Sequence, residues 1–242
     1  PLYYSRFLKT WPKDLLKEYK KAVELYKKAL EIRERILGEE HPDTATSYNN
    51  LALVYASQGE YKKAEGLYKK ALEIRERILG EEHPDTATSY NNLALVYASQ
   101  GEYKKAKGLY KKALEISERI LGEEHPDTAA SYNNLAGVYD SQGEYKKAVE
   151  LYKKALEIRE RILGEEHPST ATSYNNLAFV YDSQGEYKKA VELYKKALEI
   201  SERILGEEHP STATSYNNLA FVYASQGEYK KAEGLYKKAI EI

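Results

Sequence analysis

Residues 41–82 read HPDTATSYNNLALVYASQGEYKKAEGLYKKALEIRERILGEE, and this stretch decides the fold because the chain repeats it. The pattern restarts at four further histidines, each 42 residues after the one before: His83, His125, His167 and His209. Between the first two copies only two positions differ, since Glu65 becomes Lys107 and Arg75 becomes Ser117. A period of this length predicts a solenoid, in which small units stack on one another.

Each copy is predicted to form two helices, of which the first begins at Pro42. A proline suits the first helical position, because its missing N–H needs no partner there. Apolar residues at helical spacing then form a predicted core stripe: Ala45, Tyr48, Leu51, Ala52 and Tyr55. Gly59 is predicted to end the helix, since glycine adopts the left-handed conformation of a turn at little cost.

The second helix is predicted to run from about Glu60 to Leu79, with Gly80 closing it. Its predicted buried stripe comprises Tyr61, Ala64, Leu67, Tyr68, Ala71, Leu72 and Ile78. Three second helices contain an interior glycine: Gly66, Gly108 and Gly234. Such a glycine costs about 1 kcal/mol relative to alanine, so we expect these positions to mark close packing. One helix pair cannot bury its own apolar face, so neighbouring pairs must stack.

Three short patterns recur along the chain: Y-x-x-L-A-x-x-Y, Q-G-x-Y-x-x-A and L-Y-x-x-A-L. Together they resemble the tetratricopeptide repeat. The 42-residue period, with L-G-x-x-H-P-D-x-A and N-N-L-A, is similar to the kinesin light chain and nephrocystin-3 subtype. The resemblance implies an all-α, right-handed superhelical solenoid of antiparallel helix pairs, whose concave face is lined by the first helix of each pair. It also implies a protein that binds peptides or partner proteins in that groove and is not an enzyme.

The resemblance covers residues 18–242, with five first helices expected to start near residues 42, 84, 126, 168 and 210. Six second helices are expected, the last of them truncated at Ile242. Because no further polar helix follows to cover its apolar side, we expect end-to-end association with a second copy. Near-identical copies and the absence of methionine leave open a consensus-designed scaffold or recent tandem duplication.

Residues 1–17, PLYYSRFLKTWPKDLLK, do not follow the repeat. Their large apolar side chains include four at helical spacing: Tyr4, Phe7, Leu8 and Trp11. One interpretation is a divergent helix that caps the first repeat. A second is a basic, aromatic arm that docks in a groove, and a third is a disordered tail.

The composition excludes several classes of function. Lys and Arg number 37 against 38 Asp and Glu, so no charge excess indicates a nucleic-acid partner. Cysteine is absent, which excludes disulfides and thiolate metal sites. No apolar run is long enough to span a membrane and no secretion signal is visible. We therefore expect a cytoplasmic protein without a membrane partner.

Two repeated features imitate catalytic or metal-binding groups. The five histidines all precede a proline and lie one repeat apart, too far to share an ion, so we interpret them as helix-start residues. The pair Glu39 and Glu40 recurs in the same loop of each copy and indicates a solvated acidic turn. No nucleophile, phosphate-binding loop or dinucleotide motif occurs, so we predict neither a cofactor nor a metal.

A second stripe on each first helix is the candidate binding surface. In the first copy it comprises Thr46, Asn49, Leu53 and Ala56, spaced so that they share one face. The resemblance implies that the first asparagine of N-N-L-A contacts the ligand: Asn49, Asn91, Asn133, Asn175 and Asn217. An amide donates and accepts, so a row of amides suits a peptide backbone. The alternative is that either asparagine of the pair bridges neighbouring repeats, and for the second we favour that role.

The copies differ on this stripe while agreeing almost everywhere else. The position after N-N-L-A reads Leu53, Leu95, Gly137, Phe179 and Phe221. Three residues further the copies read Ala56, Ala98, Asp140, Asp182 and Ala224. These changes in size and charge indicate a shaped surface with aromatic anchors, with drift between duplicates as the alternative.

The charge on this stripe departs from the kinesin light chain pattern, whose groove supplies basic residues to acidic peptides. No Lys or Arg occurs in any of the five first helices, and Asp140 and Asp182 add negative charge. We therefore predict a neutral or basic peptide or protein partner with apolar side chains. The alternative function is a structural scaffold without a cognate ligand, self-associating through its ends.

Overall fold

The computed structural model describes the backbone of residues 13–242 and the side chains from residue 18 onward. This part of the chain consists of eleven helices and contains no strand. The leading helix is α1 (Lys13–Leu37). The first helices of the repeats are α2 (Pro42–Ser57), α4 (Pro84–Ser99), α6 (Pro126–Ser141), α8 (Pro168–Ser183) and α10 (Pro210–Ser225). The second helices are α3 (Tyr61–Leu79), α5 (Tyr103–Leu121), α7 (Tyr145–Leu163), α9 (Tyr187–Leu205) and α11 (Tyr229–Glu241).

The helices form two compact units, one ending at Ile120 and the other running from Leu121 to Ile242. Within the first unit α2 packs against α1 and α3, and α3 also packs against α4. Within the second unit each helix from α6 to α11 packs against the next, and the first helices α6, α8 and α10 contact in sequence. This nearest-neighbour packing confirms the predicted all-α array of helix pairs.

Each first helix begins with the same capping arrangement, built around the histidine. The Nδ1 atom of His41 accepts a hydrogen bond from the backbone N–H of Asp43 at 3.1 Å, and Pro42 takes the first helical position. The buried Thr44 hydroxyl donates to the Gly38 carbonyl at 2.8 Å, which fixes the loop before the helix. The interpretation of the histidines as helix-start residues is confirmed, since all five make this bond.

The core stripe predicted for the first helix is buried in full: Ala45, Tyr48, Leu51, Ala52 and Tyr55. The stripe predicted for the second helix is only partly right. Ala64, Tyr68, Ala71 and Leu72 are buried, but Ile78 is 50% exposed and its place is taken by Ile74 and Arg75. The 19-residue α3 is longer than the 16-residue α2. The three additional residues make α3 about 4.5 Å longer than α2.

Hydrogen bonds between a tyrosine and a glutamate join successive helix pairs. Tyr48 donates from its hydroxyl to Glu34 at 2.5 Å, and Tyr90 donates to Glu76 in the same geometry. Tyr174 and Tyr216 donate to Glu160 and Glu202 in the second unit. Burial raises the pKa of these tyrosines, and the accepting carboxylate raises it further. Each contact ties the first helix of one pair to the second helix of the pair before it.

The interior glycines do not mark close packing, so that expectation is wrong. A Cβ atom built at Gly66, Gly108 or Gly234 meets no heavy atom within 4 Å, and all three residues are exposed. The corresponding position carries Glu150 in α7 and Glu192 in α9. These glycines therefore cost helix stability without allowing a close contact.

Replacing Gly66 and Gly108 with alanine is expected to stabilise the chain by about 0.5–1 kcal/mol each, because alanine has less backbone freedom to lose. Urea unfolding followed by circular dichroism measures the gain. The matched control is Gly80→Ala, which must destabilise because Gly80 has a φ of 91°. A lower unfolding midpoint for Gly66→Ala would contradict this account.

Candidate functional site

The candidate site lies on the second stripe of the first helices, which we name the asparagine face. In α2 it comprises Thr46, Asn49, Leu53 and Ala56, and the other first helices contribute the same register positions. Its large apolar side chains are exposed by 52% to 57%: Leu53, Leu95, Phe179 and Phe221. Because the core stripe one face away is buried, these side chains lie outside the core of their own unit.

Two of the five first asparagines take part in bridges between neighbouring repeats. Asn92 donates from Nδ2 to the Oδ1 of Asn49 at 2.8 Å, and Asn176 donates to Asn133 at the same distance. Asn92 and Asn176, which are both second asparagines, therefore have the structural role that we favoured. Asn49 and Asn133 share that role through their oxygens.

Two other first asparagines present an unused acceptor. The Oδ1 atoms of Asn91 and Asn175 are buried and accept no hydrogen bond within the described residues. A buried acceptor without a donor costs about 1–3 kcal/mol, and a ligand N–H would remove that cost. Asn217 on α10 is exposed. The row of asparagines is thus uneven, because some oxygens are used in bridges and others are buried without a donor.

Gly137 brings a tyrosine hydroxyl to the asparagine face of the second unit. A Cβ atom built at Gly137 would lie 3.3 Å from the Oη of Tyr152, which is tighter than an ordinary contact. Periodicity assigned this tyrosine position of α7 to the core, where it is indeed buried. Only Gly137 could have indicated from the sequence that Tyr152 lies beside the asparagine face. A glycine occurs at this position in only one of the copies.

Two half-buried carboxylates give this part of the face a negative charge. Burial raises the pKa of both Asp140 and Asp182 above the ordinary value of 3.8. Burial also raises the pKa of Tyr194, and the charges of Asp182 and then Asp140 raise it further. Both carboxylates therefore lie within electrostatic reach of one phenol. The first helices of this unit, α6, α8 and α10, contain no Lys or Arg that could pair with these carboxylates.

The described residues contain no group of three His, Cys, Asp or Glu side chains placed to hold a metal ion. None of their helices is both long and apolar enough to cross a membrane. The four residues proposed as a cap or arm, Tyr4, Phe7, Leu8 and Trp11, lie outside the described residues. The candidate chemistry of the asparagine face is therefore recognition through amides, aromatic rings and carboxylates.

Comparison with solved structures gives two informative neighbours. BtubC (BKLC) from P. vanneervenii is similar with a TM-score of 0.77 and 28% identity, over 92% of this chain and 90% of that chain. A putative kinesin light chain with nearly identical TPR-like repeats from Podosopora anserina has a TM-score of 0.70 and 32% identity. The alignment covers 83% of this chain and 95% of that chain. A comparison with curated proteins found no match.

The family profile of the tetratricopeptide repeat matches almost the whole sequence in five overlapping segments: residues 15–77, 51–119, 85–161, 138–203 and 183–242. Helix pairs, the 42-residue period and the structural neighbours agree with that match. The resemblance to kinesin light chain repeats is thereby confirmed. The chain belongs to the tetratricopeptide repeat family.

Proposed function

We propose that this protein is an interaction scaffold whose asparagine face binds a basic, apolar segment of a partner protein, with the strongest contacts in the second unit. Tetratricopeptide repeats generally mediate protein interactions, and the matching family is not catalytic. The observation that carries the proposal is the juxtaposition of exposed phenylalanines with half-buried carboxylates. Phe179 and Asp182 lie on the same helix one turn apart.

The chemistry of the face supports a basic peptide. Phe179 and Phe221 offer apolar area to side chains of the partner, and aromatic anchors of this kind dominate binding energies. Asp140 and Asp182 would pair with Lys or Arg side chains of the peptide, in surroundings where partial burial strengthens the attraction.

A peptide array tests the proposal directly. Peptides that combine Leu, Ile or Phe with two or more Lys or Arg residues should bind the intact chain, and the same peptides with Glu in place of the basic residues should not. The variant Asn133→Ala/Phe179→Ala should lose this binding. Equal binding by the intact chain and the variant, or a preference for acidic peptides, would remove the asparagine face as the site.

Neutralising both carboxylates with Asp140→Asn/Asp182→Asn is expected to weaken binding of a basic peptide about 5- to 10-fold at pH 7, equivalent to about 1–1.4 kcal/mol. The same variant is expected to melt at a higher temperature. Because burial raises the folded-state pKa of both groups, their charged forms penalise folding above that pKa, and the penalty vanishes as pH falls below 3.8.

Calorimetry across pH 4–7 measures both effects. Affinity of the intact chain should fall as pH drops through the raised pKa of the two aspartates, whereas the variant should respond little. Asp127→Asn is the matched control, since Asp127 is an exposed acid at the start of α6, away from the asparagine face. A variant that melts lower than the intact chain at pH 7 would contradict the assigned burial penalty.

The predicted end-to-end association stays a prediction, as does the alternative of a scaffold without a ligand. Two apolar residues of α11, Tyr229 and Ile240, are exposed. Light scattering over a concentration series tests the association. A mass that stays that of one chain at high concentration would count against association through this helix.

A further inference from the structure

One repeat position carries either arginine or serine: Arg33, Arg75, Ser117, Arg159 and Ser201. The arginine in α3 is buried, with only 6% of its surface exposed. Its Nη1 donates to the backbone oxygen of Asp85 at 3.0 Å and to the Oγ of Ser89 at 2.8 Å. Its Nη2 donates to the Oγ1 of Thr46 at 3.3 Å. The repeat thus contains a built guanidinium site between two first helices and one second helix.

A carboxylate side chain is not needed at this site. Arg159 in α7 donates from Nη1 to the backbone oxygen of Ser169 at 3.0 Å and to the Oγ of Ser173 at 2.7 Å. Ser169 stands where the first unit has Asp85, so a neutral carbonyl and hydroxyl pair holds the cation here. Oxygen atoms of fixed direction suit the planar fork of N–H groups on a guanidinium.

At Ser201 the same site lacks its arginine and leaves a cavity of about 220 Å³ between α8, α9 and α10. The acceptors that hold Arg75 have equivalents in the lining: Ser211 for Asp85, Ser215 for Ser89 and Thr172 for Thr46. The Ser201 hydroxyl donates to the Ala197 carbonyl of its own helix at 2.9 Å and lies 3.4 Å from the Oγ of Ser215 at the edge of this cavity.

The remaining lining suits an alkylguanidinium group. The Oδ1 of Asn175 is buried and accepts no hydrogen bond within the described residues, so it adds one more acceptor. Ile200 and Ile204 provide apolar walls for a hydrocarbon stem, and Ile204 is half exposed at the rim. The lining contains no carboxylate, so a strongly hydrated ammonium ion would lose water without gaining a counter-charge.

We propose that this cavity, the Ser201 cavity, binds one alkylguanidinium group, supplied by an arginine side chain of a partner or by a small guanidine. The bound group would occupy the position that Arg75 and Arg159 fill from within their own helices. The inference does not rest on the peptide site at Phe179 and Asp182, although Asn175 lies on both.

Titration of the full chain with N-butylguanidinium, followed by amide NMR shifts of Thr172, Ser201 and Ser215, tests the proposal. A ligand of this size should saturate with a Kd of about 1–10 mM. N-butylammonium should bind at least about 10-fold more weakly, because it lacks the planar fork of N–H groups of a guanidinium. N-acetyl-arginine amide distinguishes the sources: binding by it alone assigns the cavity to arginine in a peptide, and binding by both shows that the guanidinium group suffices.

Two variants provide matched controls. Ser201→Arg supplies the internal guanidinium and should abolish the shifts, while raising the melting temperature as a filled cavity does. Arg159→Ser should create a second set of shifts at Ser169 and Ser173. Because Ser201→Arg leaves Phe179 and Asp182 in place, binding of a lysine-based peptide on the asparagine face should persist in it.

Absence of shifts at Thr172 and Ser215 with both guanidinium ligands, up to tens of millimolar, would overturn the proposal. Equal shifts with N-butylammonium, or undiminished binding by Ser201→Arg, would overturn it as well. If the chain shows no binding of the lysine-based peptide but keeps the guanidinium shifts, the proposed peptide site is wrong and the proposal for the Ser201 cavity is unaffected.

Discussion

Replacing Phe179 and Phe221 together with alanine is expected to weaken binding of a basic, apolar peptide by about 30- to 150-fold, equivalent to about 2–3 kcal/mol. Each ring exposes about half of its surface on the asparagine face. A bound peptide would cover much of that area, at about 25 cal/mol per Å² of apolar surface removed from water. The two rings lie at the same register position of α8 and α10, which contact each other.

Calorimetry with the best peptide from the array measures this effect. The first unit provides the matched control, because Leu53 and Leu95 occupy the same register and are as exposed, but no aspartate follows them. Leu53→Ala/Leu95→Ala should change the affinity less than about 3-fold. All four substitutions are at exposed positions and should leave stability within about 0.5 kcal/mol. A larger loss from the leucine pair would move the site to the first unit.

Tyr174→Ala is expected to destabilise the second unit by about 3–5 kcal/mol, the largest single effect on folding that we predict. The ring is 2% exposed between α7 and α8, so its removal leaves a cavity at the junction of two helix pairs. Tyr174→Phe keeps the ring and removes only the hydroxyl bonded to Glu160. Its cost should be about 1–1.5 kcal/mol, because water can reach the half-buried glutamate.

Urea unfolding of the full chain separates the two contributions. If ring packing dominates the junction, alanine should cost about three times as much as phenylalanine. Tyr229→Ala is the control, since that ring on α11 is exposed and its loss should be nearly neutral. Equal losses from both Tyr174 variants would instead assign the junction to the tyrosine–glutamate hydrogen bond.

Much of the fold could be predicted because it depends on local signals. The histidine and proline at the start of each first helix, and the stripe containing Tyr48 and Leu51, are set by spacing along one helix. The prediction for Ile78 was wrong because burial there depends on the unequal lengths of neighbouring helices. The prediction that Gly66 marks close packing was wrong for a different reason. A glycine in the sequence shows only that a side chain is missing, whereas a close contact depends on the residues that surround it in the fold.

The sites could be predicted less completely. Periodicity placed Asn49 and Asn133 on the asparagine face, but it does not reveal that each accepts a hydrogen bond from the next repeat. The difference between Arg75 and Ser117 was visible in the sequence without any indication of burial. An arginine is mostly a surface residue, and only acceptors from two neighbouring helices explain its place in the interior. The role of the asparagine face in binding stays a prediction.

The tyrosine–glutamate bonds between helix pairs also bear on how the chain folds. Tyr48 and Glu34 are 14 residues apart, and so are the corresponding partners in the other junctions. Contacts over such short separations close small loops and lose little chain entropy. Proteins with a low contact order of this kind fold quickly, and in arrays of repeats folding can nucleate at one junction and spread to its neighbours. Removing a whole 42-residue copy should therefore reduce the number of junctions that form during folding without slowing the formation of any one junction.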